Sequence, residues 1–588
     1  MIKEYFQKVF YLLDDDKKKI PILTFFFIVL SLFDLFGISV VASYISYISN
    51  DAAQDNLMMQ IFEVIGWSIE KDRLLLNMGL LIIVTFLLKT FFSISLNKAI
   101  IKFSLKQKVK LSSLLMNTYQ SLPYIQYLDR NSSEYIHSIK GLTDSFSSLV
   151  FLLLRTFSDL IVAFFILLLL AWYNIYILIF LVIITGLVVW VYDSFLNKGL
   201  DKFGKKSNVA NNLLIRGITE GISGLKEIRV LGKEAYFYKM AVKGIHDSAY
   251  YESKVKIASS IPRYLIEFVM VFFVTVIIIT AALFGNGLDT LFSTLTIFGI
   301  ASLRLLPIIS ALSNSLIFLR FSIDSIEKLF NDVQKYKKIK IKKVVDGFTL
   351  SREKFREFEL DNVSFAYPNK TSDFIKNISI KVASGQAIGI IGPSGAGKTT
   401  LIDLILCLLD PSDGSVKYNG SESELSLLEW RSQIAYLPQQ VFIIDDTLKA
   451  NIALGADNVD NTKLNYSIKK AKLEDLVNYL SDGVETFVGE KGIRLSGGER
   501  QRVALARAFY HDKNILVMDE STSSLDIETE EEIIKEIKNL HGTKTLIVIA
   551  HRLTTLQNCD VIYRINKGKI VEKGSYNQIC TDKDEKNS

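Results

Sequence analysis

The residues with the clearest chemical purpose lie between positions 392 and 399. Gly392, Pro393, Ser394, Gly395, Ala396, Gly397, Lys398 and Thr399 fit the pattern GxxxxGK[ST]. The pattern follows a strand-like run, Ala387–Ile391, and precedes a helical run over 401–409. Glycines there let backbone N–H groups close around a phosphate at a helix N-terminus. Lys398 is expected to reach the β- and γ-phosphates of a bound nucleotide, and the Thr399 hydroxyl to bind Mg²⁺. Thr400 follows in the same first turn.

A second element supplies acids. Ile515 to Met518 reads as a buried strand, and it ends in Asp519 and Glu520. An acid at the carboxyl end of a parallel strand is expected beside the phosphate loop. Asp519 is placed to hold the Mg²⁺ through water, and Glu520 to polarise an attacking water. If both acids merely capped the next helix, the phosphate loop would lack a metal partner.

Further residues carry a family resemblance. Leu495-Ser496-Gly497-Gly498-Glu499-Arg500-Gln501-Arg502 resembles the signature motif of ABC ATPases, and Gln439 resembles their Q-loop glutamine. Asp526 is similar to the D-loop aspartate, His551 to the switch histidine, and Tyr367 to the aromatic residue that stacks on adenine. The resemblance covers about 358–574 in the family's order. It implies an ATPase using ATP and Mg²⁺, with Thr399, Gln439 and Asp519 around the metal and Glu520, His551 and Gln439 catalytic. It also implies that Ser496, Gly497 and Gly498 come from a second copy of the chain. One ATP is then held between two subunits of a homodimer.

These motifs need a scaffold, and the chain supplies two kinds. At 588 residues it is too long for one core, and its 49% hydrophobic content is concentrated before about residue 320. Runs long enough to cross a bilayer occur at 21–48, 74–96, 149–172, 175–195, 265–284 and 291–319. Seven Lys and Arg residues lie between the second and third runs, and thirteen between the fourth and fifth. The loop after the first run carries only Lys71 and Arg73, so the basic loops and both ends are assigned to the cytoplasm. Few prolines interrupt those loops, so the spans are expected to continue as helices well beyond the membrane.

The remainder alternates apolar strands and helices, an α/β signature. The expected organisation is an α-helical polytopic membrane domain over 1–334, a linker over 335–357, a phosphate-loop ABC ATPase domain over 358–580 and a charged tail over 581–588. Cys407, Cys559 and Cys580 lack metal-ligand spacing and fit a reducing cytoplasm. The net charge of +6 forms no basic face, which argues against a nucleic-acid partner.

Six spans followed by an ATPase resemble the type IV, exporter-fold half-transporters of the cytoplasmic (inner) membrane. Residues 220–234 resemble that family's second intracellular loop, and Glu490 its X-loop. Lys89, Arg263 and Arg304 could form a cationic lining for an anionic head group. Asp34 and Glu267 offer internal pairing instead, with Arg263 one helical turn before Glu267. Apolar residues from Leu57 to Ile69 recur at helical spacing and predict an amphipathic external helix. Segments around Arg263 and Arg304, with that helix, resemble the bacterial lipid-linked oligosaccharide flippase of N-glycosylation. The resemblance implies ATP-driven flipping of a polyprenyl-pyrophosphate-linked oligosaccharide by alternating access. The alternatives are a multidrug or lipid A-type exporter with the same engine, and an ABC ATPase with a regulatory role.

Overall fold

The computed structural model describes residues 2–48, 71–196, 199–284, 288–338, 354–368, 374–520, 527–550 and 553–581. The expected external helix at 57–69, the turn at 285–287 and most of the linker and tail lie outside them. The chain forms two units. One comprises Met1–Leu122 and Leu128–Lys342, the other Pro123–Tyr127 and Lys343–Ser588.

The first unit is helical, and six of its helices are long and apolar enough to cross a membrane. Its elements are α1 (Ile2–Leu13), α2 (Ile20–Ile48), α3 (Lys71–Gln120), α5 (Thr143–Tyr173) and α6 (Ile175–Leu196), while the short α4 (Tyr124–Leu128) between α3 and α5 falls, but for its last residue, in the second unit. They continue with α7 (Leu200–Ser223), α8 (Glu234–Phe284), α9 (Leu288–Phe321) and α10 (Ile323–Lys338). Helix α3 has 50 residues and α8 has 51, whereas about 20 cross the hydrocarbon core. The surplus is basic and polar, so both helices run on beyond the bilayer. Between α5 and α6 the backbone extends at Asn174, whose Oδ1 accepts from the N–H groups of Tyr176 and Ile177 at 3.1 Å. That cap starts α6 at once and makes the expected tight hairpin.

Beyond the membrane, α7 and α8 pack along each other through glycine. A Cβ added at Gly244 would lie 2.6 Å from the Leu214 backbone nitrogen, and one at Gly217 would lie 2.9 Å from that of Ala241. Each helix therefore presents a bare backbone where the other passes closest.

The second unit is α/β. β1 (Glu357–Phe365), β2 (Ile375–Ala383) and β4 (Asp413–Tyr418) form an antiparallel sheet in the order β2-β1-β4. The sequence reading had named only the parallel strands. These are β3 (Ala387–Ile391), β5 (Ile434–Leu437), β6 (Ile515–Asp519) and β7 (Thr545–Ile549), joined by β8 (Val561–Asn566) and antiparallel β9 (Lys569–Gly574). Their order is β5-β6-β7-β3-β8-β9. Strands β3, β6 and β7 are buried at every position, as a sheet covered on both faces requires. The five-residue tip Pro123–Tyr127 belongs to this unit, and Tyr124 and Ile125 pack on its core.

Gly244→Ala is expected to destabilise the membrane unit by about 1–3 kcal/mol, because the obstructing atom is backbone and cannot rotate away. A lowered unfolding midpoint of the detergent-solubilised protein would show it; an unchanged midpoint would mean the two helices can separate freely.

Candidate functional site

The sheet register builds the nucleotide site. Ile549 of β7 pairs with Ile390 of β3 on one side and with Asp519 of β6 on the other. The phosphate loop and the acids therefore leave the sheet at one level. Their strands are not adjacent: β7 lies between them, a spacing of about 10 Å from strand to strand. That gap is wide enough for phosphates and a cation. β7 ends between the two strands, and His551 and Asp526 lie outside the described residues.

After β3, Gly395 takes φ +78° and Gly397 φ +105°, both left-handed. A Cβ at Gly395 would meet nothing within 4 Å, so the loop opens there. The helix Lys398–Ile405 starts directly, with Thr399 exposed and Thr400 buried. The Lys398 ammonium donates to the carbonyls of Gly392 at 2.8 Å and Pro393 at 3.3 Å. It is thus held across the open loop, where phosphate oxygens would compete for its protons. Pro393 and Ser394 are exposed on the loop, and Ala396 packs into the core beneath it. Tyr367 bonds through its hydroxyl to Thr400 Oγ1 at 3.1 Å, with its ring edge-on to Phe365.

Glu520 occupies a left-handed conformation, φ +48°, which costs a non-glycine residue about 1 kcal/mol. Two bonds hold it: its N–H donates to the Ile549 carbonyl at 3.0 Å, and Gln439 Nε2 donates to its Oε2 at 2.7 Å. With the Gln439 amide nitrogen so engaged, its oxygen is left for a cation. Asp519 is buried at the end of β6, within 3.5 Å of the Tyr436 hydroxyl. Thr399, the Gln439 amide oxygen and Asp519 are hard oxygen donors with a single carboxylate among them. That set suits Mg²⁺, which keeps several waters and takes phosphate oxygens for the rest. Bound there, Mg²⁺ would neutralise phosphate charge.

Ser496 begins the helix Gly497–His511 with a capping box. Its Oγ accepts from Glu499 N at 3.2 Å, and its own N–H donates to Glu499 Oε2 at 2.6 Å. The box satisfies the donors of Ser496 and Glu499. The N–H groups of Gly497 and Gly498 remain at the positive end of the helix, suited to an anion. Arg500 ties the approach segment down by donating to the carbonyls of Gly492 and Leu495.

One acid here was not singled out from the sequence. Asp403, inside the helix after the phosphate loop, is pushed up to about 6 by burial and by the charge of Asp519. Tyr124, from the α3–α5 connection, feels that same carboxylate. A lone acid in the apolar run 401–409 was the available signal.

In the membrane unit, Lys89 and Arg304 do not stand free as a cationic lining. Both ion-pair with the buried carboxylate of Asp34, Arg304 at 3.1 Å. A buried ion needs its partner, and Asp34 is the partner within reach. Arg263 behaves differently. Among the described residues it forms no ion pair with Glu267, despite the helical spacing. Instead it lines a cavity of about 380 Å³ with Arg155, Ser310 and Asn314. Ser310 Oγ and Asn314 Oδ1 are buried without a hydrogen-bond partner. Arg155 was visible as a charge inside the third span, yet the sequence reading had passed over it.

A phosphate loop, paired acids and a capped glycine helix on an α/β sheet define a nucleotide-binding domain, here fused to a polytopic membrane domain. Residues 375–523 match the ABC transporter family, and residues 20–306 match the ABC transporter transmembrane region. The chain is 32% identical over 403 residues to an ATP-dependent lipid A-core flippase of Burkholderia orbicola, covering 68% of this chain and 67% of that one. A protein of the same description from Cupriavidus metallidurans is 30% identical, over 65% of this chain and 64% of its own. A beta-(1→2)glucan export ATP-binding/permease protein of Brucella suis is 40% identical over 37% of each chain. The alignment to the Cupriavidus protein thus spans just under two thirds of that relative's length. The structure of a bacterial Atm1-family ABC exporter with ATP bound shares the fold, with TM-score 0.77 over 97% of each chain at 20% identity. The chain belongs to the ABC transporters.

Asp403→Asn tests the crowding of acids. A carboxyl whose folded pKa is raised costs stability once it ionises, so the cost grows as pH rises from 3.8 to about 6 and is complete above that. In the nucleotide-free protein the substitution should therefore stabilise at pH 7.5 by about 1 kcal/mol after allowance for solvent screening. The gain should fade toward pH 4. Equal gains at both ends, read by thermal unfolding, would remove the electrostatic explanation.

Proposed function

We propose that this chain is an ATP-driven exporter of the inner membrane that works as a homodimer and moves an anionic amphiphile by alternating access. The observation that carries the substrate class is the cavity holding Arg155 and Arg263. Neither guanidinium has an ion-pair partner among the described residues, and unpaired Asn314 and Ser310 side chains share the space. Asp159, one helical turn beyond Arg155, offsets part of its charge; the positive charge left over at membrane depth is expensive, and an anionic head group would relieve it. Lys89 and Arg304 instead sustain Asp34 and serve the scaffold.

Each half of the ATP site is open alone. Ser496, Gly497 and Gly498 would close over the γ-phosphate held by the partner's loop. Lys398 and the loop glycines bind the phosphates, Tyr367 the adenine face, and Thr399, Asp519 and Gln439 the Mg²⁺. Glu520, aimed by Gln439 and its strained backbone, orients and polarises water, with Asp526 and His551 completing the set. These intact groups favour turnover over a regulatory role.

Among head groups, the lipid A-type reading leads, because the relatives matched over most of this chain are named lipid A-core flippases. The polyprenyl-pyrophosphate oligosaccharide offers the same anion to the same arginines and remains the second reading. The test is ATP-dependent translocation in proteoliposomes, with a lipid A-type glycolipid and a polyprenyl-pyrophosphate oligosaccharide supplied separately. Arg155→Ala with Arg263→Ala should cut translocation of the true substrate at least tenfold, an effect of about 1.4 kcal/mol or more, while basal ATPase persists. Undiminished translocation in that variant would rule out the cavity.

Glu520→Gln should keep ATP binding and lose steady-state hydrolysis by about 10²-fold or more. Wild-type turnover in this variant would assign the water-polarising role elsewhere.

A further inference from the structure

The connection between α3 and α5 carries the segment Pro123–Tyr127, which belongs to the ATPase unit. Both arms of that connection converge on one carboxylate of α10. Asp332 is buried, and its Oδ2 accepts from the Tyr119 hydroxyl at 2.9 Å, on the arm arriving from α3. From the departing arm, Arg130 Nη2 donates to Oδ1 at 2.8 Å and Nη1 to Oδ2 at 3.1 Å. Ser138, eight residues further on, donates to Oδ2 at 3.4 Å. The rings of Tyr119 and Tyr135 meet edge-on with centroids 4.7 Å apart and close the two arms against each other.

The same helix is tied a second time. Asn208 of α7 donates to Asp324 at 2.8 Å and to Ser325 at 3.0 Å, both on the first turn of α10. Helix α10 also follows α9 with only Ser322 between them, so its displacement is delivered to a membrane span. A bidentate guanidinium–carboxylate pair fixes angle as well as distance. Buried, it transmits a push or a twist without slipping.

We propose that Asp332 is the positioning residue that couples the ATPase to the membrane helices. When nucleotide draws the ATPase units together, the tip 123–127 moves with its unit. Asp332 forces both arms, α10 and hence α9 to follow as one body. Asp332 touches neither nucleotide nor substrate, so its loss should leave the engine running and disconnect the load. The inference rests on the ATP-driven transport proposed above.

The experiment follows access to the substrate cavity. Ala311 lines the cavity with Arg155 and Arg263. In Ala311→Cys, reaction with a water-soluble maleimide is read at that position by mass spectrometry, without nucleotide and with ATP plus vanadate. The parent should change its labelling rate about tenfold on trapping, as a two-state shift in access demands. Adding Asp332→Ala should abolish the change while ATP hydrolysis stays within about twofold of the parent. Arg130→Gln and Tyr119→Phe, milder changes to the same cluster, should reduce it in part and carry the test if Asp332→Ala does not fold. A full labelling change in all three variants would overturn the clamp. Parallel loss of hydrolysis and labelling change would also overturn it, since that pattern marks a structural residue. Labelling that ignores nucleotide in the parent itself would overturn the transport reading, and the clamp with it.

Discussion

The nucleotide site depends on a single alignment, the pairing of Ile549 with Ile390 on one side and Asp519 on the other. A shift of one residue on either side would move the acids by about 3.3 Å along the strand and turn every side chain to the opposite face. Burial of β3, β6 and β7 on both faces is what prevents such a shift, because each slipped register would mismatch two packed layers at once. The loop, the metal ligand and the strained glutamate therefore inherit their geometry from hydrophobic packing several residues below them.

That arrangement places conflict where the chemistry needs it. Asp403, Asp519 and Glu520 gather acid charge beside a loop built to receive more negative charge. Without a cation the neighbourhood is unfavourable, and the raised pKa of Asp403 records the fact. Mg²⁺ would relieve it, so the acids that cost stability in the empty site favour the metal in the loaded one. The left-handed backbone of Glu520 is a second local cost. It is offset by the Gln439 amide, which thereby links the acid to the segment that also supplies a metal ligand.

Much of this was legible in the chain, for identifiable reasons. The phosphate loop, the acid pair and the signature serine are short local patterns whose chemistry depends on neighbours in sequence. Six spans were legible because a bilayer demands long apolar runs. The parallel strands were legible as uniformly apolar, but the antiparallel sheet of β1, β2 and β4 was not, since its half-exposed alternation resembles many surface segments. The pairing of Lys89 and Arg304 with Asp34 was offered only as an alternative. Spacing along one helix cannot reveal which of the other spans carries the partner. Arg263 and Glu267 show the converse, because correct helical spacing permits a pair without producing one.

The least legible feature is the cluster around Asp332. Asp332 lies 202 residues from Arg130 and 213 from Tyr119, and nothing in its local sequence distinguishes it from any acid on an amphipathic helix. Asp332 is buried and Arg130 half-buried, so the pair falls between a surface pair, which contributes less than about 1 kcal/mol, and a fully buried one, where removing a partner typically costs about 3–5 kcal/mol. That difference matters mechanically. An exposed bridge would exchange with water during each cycle and let the arms slip, whereas a buried bidentate pair must move as a unit or break at a prohibitive cost. A transporter whose chemistry and cargo are held by separate units needs such a connection. In this chain the connection is polar, so its geometry is directional, and buried, so it is stiff.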